Sequence, residues 1–485
     1  MLAPLAIALW STLGFAAGQP LTFGLPNSIG TFSIFERTMA QTRYLLGLVY
    51  DPLVRFNASQ ELEPAIARAW RVDQPGGTIT FEIAPNRFFS DGTRVTAQEV
   101  VKSLVRSCAP ESDSRKDFTS ILGCGTRAPS MRAIGTEKLV IGFKGPASLL
   151  LYQLSGMRAG IALAKSGFKL GSGPYQVDSL SDTAIQLSPN PSRPGSAGPS
   201  LVLKRVGEER LSKVIQEEKL DGTIMFRYSA IAAAPEGYRA IDDQANITMA
   251  LVPNIQRAPF NDVEFRRALM ASLAENKAFV ACHPEVRPAF GIVPVGIGGS
   301  IAHLPRAGAA GHAALEHLRK RHAGQTVTLQ RHVGRRDACE EAVLARTFAE
   351  LGVNLKIQYH ESYDTLLPRY LNHDLDGFLE LYIFPNREAF PVFTKFALSG
   401  DNLANLESPV IERAIGAIWG AKTSSERYQA YRTVAQKIQD DSILFPLYYL
   451  RHRNVLSKCF ESIPPEFAFN PFLGLTKLSR KQDCK

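Results

Sequence analysis

Residues 78–99 constrain this chain more tightly than any other stretch. TITFEI at 78–83 alternates, with Ile79, Phe81 and Ile83 on one side and Thr78, Thr80 and Glu82 on the other, the period-2 pattern of a half-buried strand. Ser90-Asp91-Gly92 supplies turn chemistry. Thr96-x-x-Glu99 then predicts a capping box, because a helix start leaves backbone amides that a Thr hydroxyl and a Glu carboxylate can satisfy. Val100, Val101, Leu104 and Val105 give the helix an apolar stripe. A strand, turn and helix in immediate succession imply a mixed α/β architecture.

The 485-residue chain is long enough for several domains, and its 45% hydrophobic and 21% charged content is that of a globular protein. Residues 2–17 are uncharged and end in small side chains. They read as a secretory leader cut near Ala16 to Gly18, although no Lys or Arg precedes the apolar run; a buried N-terminal helix is the alternative. Six cysteines suit an oxidising compartment, and none forms a CxxC pair. Nearest-neighbour pairing joins Cys108 to Cys124 and Cys459 to Cys484, leaving Cys282 for Cys339; unpaired buried thiols are the other possibility. The net charge of +9 concentrates in LRKRH at 318–322 and RHVGRR at 331–336. No aromatic ladder or zinc spacing accompanies these runs, so they read as a solvated face and not as a nucleic-acid surface.

Farther along, TVTLQ (326–330), ACEEAVLARTFAEL (338–351) and NLKIQYH (354–360) predict a βαβ unit, with Val343, Leu344, Phe348 and Leu351 inward and Gly352 at the helix end. Ile411, Ile415, Ile418 and Trp419 share one helical face. Thr423-x-x-Glu426 opens a further helix that buries Tyr428, Tyr431, Ala435 and Ile438. SILFPLYYL (442–450) is an apolar strand whose Pro446 predicts an edge or a bulge.

Together with LEPAIARAW and FSDGTRVTAQEVVKSL, the segments GSGPYQV (171–177), APFNDVEFRRALMASLAENKAF (258–279), LGVNLKIQ and ERYQAYRTVAQKIQDDSILFPLYYL follow one order. They resemble the bacterial extracellular solute-binding proteins of family 5, the peptide/nickel ABC-transporter type, over about residues 44–455. The resemblance implies an α/β fold of the periplasmic-binding-protein type II kind: two lobes with a hinge plus an extra domain. It places the first lobe at 19–40, 171–256 and 446–485, the extra domain at 41–170 and the second lobe at 257–445. It implies a monomer in the periplasm that closes over a small-molecule or short-peptide ligand and delivers it to an ABC permease and ATPase complex. An exported binder without its own permease and an exported enzyme are the alternatives.

No catalytic motif stands out, and neither a cofactor nor a metal is expected. His303, His312, His317 and His322 are spaced so that successive residues do not share a helical face, since five residues rotate about 140°; with His332 they read as exposed. His283 beside Cys282 carries no further signal. For ligand binding the resemblance points to 375–396. Peptide-binding relatives have there a Trp and an Asp that pairs with the peptide α-ammonium. Here Ile383 or Pro385 replaces the Asp, Asn386 and Arg387 follow, and no Trp is present. Free α-amines are therefore expected to bind poorly unless Glu380 or Glu388 supplies a carboxylate. Tyr382, Phe384, Phe390 and Phe393 are candidate lining residues, with Arg387 for an acid group on the ligand. Asn386, Tyr448, Asn27 and Ser28 complete the set, core packing being the other reading for the aromatics.

Overall fold

The computed structural model describes residues 19–484 except for 302–311, 361–368, 394–408 and shorter stretches that include 125–129 and 385–387. The expected leader, 1–18, lies outside the described residues. Among those described, no helix is long and apolar enough to cross a membrane.

The first lobe is built on a seven-stranded sheet. Its central strand Leu21–Leu25 runs parallel to Leu201–Arg205 on one side and to Gly222–Arg227 on the other. Phe23, Leu25, Leu203 and Ile224 are buried in its core. The helix Ala40–Val49 packs here too, through Leu45, Leu46 and Leu48. The helix's apolar face is thus spent on the core of this sheet. The GSGPY element abuts the end of this helix: Gly173 N donates to Val49 O at 2.8 Å, and a Cβ at Gly171 would lie 2.0 Å from the same carbonyl oxygen. Gly171→Ala is therefore expected to cost about 1–3 kcal/mol or more by overpacking against backbone, read as a lowered urea midpoint. An unchanged midpoint would show that the contact yields freely.

The extra domain carries the opening sequence motif. Thr78–Ile83 is an interior strand of a four-stranded antiparallel sheet, and Ile79, Phe81 and Ile83 are buried as their alternation requires. Thr96 caps the helix Ala97–Ser107 by accepting from Glu99 N. The reciprocal half of the box is absent, since Glu99 pairs with Lys102 instead. Val105 is also turned out, 46% exposed, because it lies beyond the face that Val100 and Leu104 bury.

The second lobe centres on a six-stranded sheet. Thr326–His332, helix Ala338–Glu350 and Asn354–His360 form the parallel βαβ unit, with Val343, Leu344, Phe348 and Leu351 buried. Thr423 and Glu426 form a complete capping box on Ser424–Asp440. Phe445–Leu450 pairs with Ile247–Pro253, and the register shifts beside Pro446, as a residue without an amide hydrogen demands.

Two connections cross between the lobes. Ile247–Pro253 and Phe445–Leu450 both belong to the second lobe's sheet, whereas Tyr238–Asp242 and His452–Ser457 pair in the first. The connections between the two sheets thus run through 243–246 and Arg451, because ladder hydrogen bonds hold each strand within its own sheet. Asp243 and His452 bridge the two connections: His452 N donates to Asp243 Oδ1 at 2.7 Å, and Asp243 Oδ2 lies 3.2 Å from Nδ1. Two short connections of this kind define a hinge axis.

The cysteines pair as the nearest-neighbour reading expected: Cys108–Cys124, Cys282–Cys339 and Cys459–Cys484.

Candidate solute-binding region

At the carboxyl end of Leu21–Leu25 the chain turns through Asn27 and Ser28. This is the end of a parallel strand at which open α/β sheets bind ligands. Asn27 is exposed and Ser28 half-buried. Gln41, from helix Ala40–Val49, pins the turn: its Oε1 accepts from Asn27 N at 3.3 Å, and its Nε2 donates to Asn27 O at 3.2 Å. On the same helix, burial pushes the Tyr44 phenol up to about 12, and the Asp243 carboxylate of the first crossing adds to the shift.

The aromatic residues of 375–396 gather as a group. Tyr382, Phe384, Phe390 and Phe393 are all buried in one hydrophobic cluster. That cluster also holds Leu53, Phe81 and Leu150 of the extra domain and Ile418 and Tyr431 of the second lobe. Asn386 and Arg387 lie outside the described residues. Tyr448 is separated from the group by the sheet's alternation: Met249 faces Leu381 and Tyr448 across the ladders, while Thr248 faces Tyr382 and Tyr449. Tyr448 is 3% exposed and donates to Glu340 within the helices behind the sheet. Tyr449 takes the Tyr382 side, where its hydroxyl meets the backbone of Phe290, Gly291 and Val293.

Glu388 has a different job from the one considered for it. Its Oε1 accepts from Arg427 Nε at 3.2 Å and from Nη2, and its Oε2 accepts from Tyr431 OH at 2.7 Å. Burial and this carboxylate push the Tyr431 phenol well above its usual range. Arg427 was legible in the sequence: with Tyr431, Val434 and Ile438 it falls at i, i+4, i+7 and i+11 of a buried stripe, and a cation there needs a buried partner.

The histidines do not converge. The side chains of His303 and His312 are outside the described residues. His317 is exposed. His322 is buried rather than exposed, 3.0 Å from Asp262 Oδ2, because its helix packs on Phe265. His332 stacks edge-on with His360.

Two lobes on separate sheets, two crossings and an extra domain define a hinged binding protein. The chain matches the family described as "Bacterial extracellular solute-binding proteins, family 5 Middle" over residues 61–402, and it belongs to that family. No curated protein sequence matches it. Among solved structures it is similar to the periplasmic binding protein DppA from Helicobacter pylori in complex with peptide STSA, at 16% identity and TM-score 0.80, covering 95% of this chain and 98% of that one. It is likewise similar to NikA from Brucella suis in complex with Fe(III)-EDTA, at 17% identity and TM-score 0.79, covering 95% and 100%. A third is AgaA from A. tumefaciens R10 in complex with agropinic acid, at 16% identity and TM-score 0.78, covering 96% and 99%.

Proposed function

We propose that this protein is a secreted, periplasmic solute-binding component of an ABC importer. It captures a peptide-like or other small organic solute between its lobes by hinge closure and passes it, unchanged, to a permease driven by a separate ATPase. The observation that carries this reading is the pair of short crossings at 243–246 and Arg451 within a family-5 chain. Contacts shared by both lobes favour the closed form, so ligand binding and closure are one equilibrium. Asn27 and Ser28 contact the solute in this reading, with Asn386 and Arg387 as further candidates from the sequence, whereas Tyr382 and Phe384, each 1% exposed, belong to the interior cluster. Tyr448, which donates to Glu340 behind the sheet, takes no part in solute contact.

The missing Asp and the engagement of Glu388 by Arg427 favour a solute without a free α-ammonium, or one with an acid group. The structural relatives are bound to a peptide, a metal chelate and an opine, so the scaffold serves all three classes. The test is thermal unfolding with STSA, N-acetylated STSA and agropinic acid, followed by mass spectrometry of the recovered compound. A cognate ligand at a hundredfold excess over its Kd is expected to add about 2.7 kcal/mol and to be recovered intact. The N-blocked or acidic probes are expected to outperform the free peptide. Preference for the free peptide would overturn the ligand class, and consumption of the ligand would overturn binding as the function.

A further inference from the structure

Across the second lobe's sheet from Tyr382, three donor groups meet that the solute-binding reading does not use. His283 follows the short helix Ala278–Cys282, Asp337 caps Ala338–Glu350, and Glu340 lies in that helix's first turn. The Cys282–Cys339 disulfide joins the residues next to His283 and Glu340, with Cα atoms 5.7 Å apart, so covalent structure holds the two donors in register.

His283 Nε2 lies 2.9 Å from Asp337 Oδ2 and 3.0 Å from Glu340 Oε1, and all three atoms fall within 4.8 Å of one another. Nε2 is buried and lies close to both oxygens. The opposite oxygen of each carboxylate is held by the protein. Asp337 Oδ1 accepts from Glu340 N at 3.0 Å. Glu340 Oε2 accepts from Arg331 Nη2 at 2.5 Å. His283 Nδ1 lies 3.8 Å from Glu285 Oε1, beyond hydrogen-bond reach but near enough for the carboxylate to add negative charge at the ring. Tyr448 OH also donates to Glu340 Oε1 and steadies it.

We propose that His283 Nε2, Asp337 Oδ2 and Glu340 Oε1 form a binding site for one first-row divalent cation such as Zn²⁺, with a fourth position open to water. Metal–ligand bonds of about 2.0–2.2 Å place tetrahedral ligands about 3.3–3.6 Å apart, so the two spacings from His283 Nε2 to the carboxylate oxygens need to open by about half an ångström. One nitrogen and two carboxylate oxygens suit zinc, cobalt or nickel better than calcium or magnesium. Charge balance agrees: Glu285, Asp337, Glu340 and Glu341 surround the site, and Arg331 is the cation paired with two of them. These carboxylates outweigh the positive end of the helix, which by itself repels a cation. The His283 side chain is 19% exposed, leaving a route for exchange. Because the site lies behind the sheet, its occupancy does not depend on which solute enters between the lobes.

The test uses untagged, EDTA-treated protein with its disulfides intact, titrated with Zn²⁺ by calorimetry and with Co²⁺ by visible absorption. One equivalent is expected to bind saturably, to raise Tm and to give the intense cobalt bands of a four-coordinate site. His283→Ala is expected to weaken binding by about a hundredfold. Asp337→Asn keeps a good helix cap and is expected to weaken binding by about tenfold or more, so it carries the test if His283→Ala fails to fold. Absence of saturable binding to the wild type, or equal affinity in both variants, would overturn the proposal.

Discussion

Glu388→Ala is expected to destabilise the protein by about 3–5 kcal/mol, the largest effect anticipated for a single polar substitution here. The side chains of Glu388 and Arg427 are 2% and 5% exposed. Removing the carboxylate leaves a buried guanidinium beside the Tyr428 ring, 5.3 Å from its centroid, and it also strips Tyr431 of its acceptor. The cost comes from the stranded charge and not from the worth of the pair. Glu388→Gln combined with Arg427→Met should therefore cost less than Glu388→Ala alone, since both charges go together. Urea unfolding of the single and double variants measures this. If Glu388→Ala shifts stability by less than about 1 kcal/mol, the pair is reached by water and the cluster that joins the extra domain to the second lobe is not closed as described.

Removing the Cys282–Cys339 disulfide by a double Cys→Ser substitution is expected to cost about 4 kcal/mol, against about 3 kcal/mol for Cys108–Cys124, on the chain-entropy relation. The separations are 57 and 16 residues, and the longer loop gains more freedom when unfolded. The same variant loosens the register of His283 against Glu340, so its Zn²⁺ affinity should fall together with its stability. A smaller loss for Cys282–Cys339 than for Cys108–Cys124 contradicts the entropic argument for this lobe.

Much of the fold was legible in advance. The alternation of Ile79, Phe81 and Ile83, the caps at Thr96 and Thr423, and the βαβ unit from 326 to 360 are decided by neighbours within a turn or two of chain. The structure reproduces them. The errors have local causes too. Val105 is apolar but one position outside the buried face, and Glu99 finds Lys102 a better partner than its own helix start. An apolar strand such as FPLYYL reads alike in either lobe. Only ladder pairing assigns it to one sheet.

The candidate region was less legible. Tyr382, Phe384, Phe390 and Phe393 read equally as pocket lining or as core packing, and they are buried together in one hydrophobic cluster. Tyr448 and Tyr449 were indistinguishable until the register sent them to opposite faces. Glu388 read as a possible amine ligand, because nothing near it in sequence announces Arg427, 39 residues away. His283 read as inert for the same reason.

What the amino-acid order settled alone was the class of architecture: periodicities of two and 3.6, capping residues and turn residues act over a few positions, and those energies are present before the chain closes. What tertiary structure alone decided was which charges meet. Glu388 with Arg427, and His283 with Asp337 and Glu340, are brought together by sheet register and a disulfide. The energy of a buried charge depends on the partner within a few ångströms, wherever in the chain that partner lies.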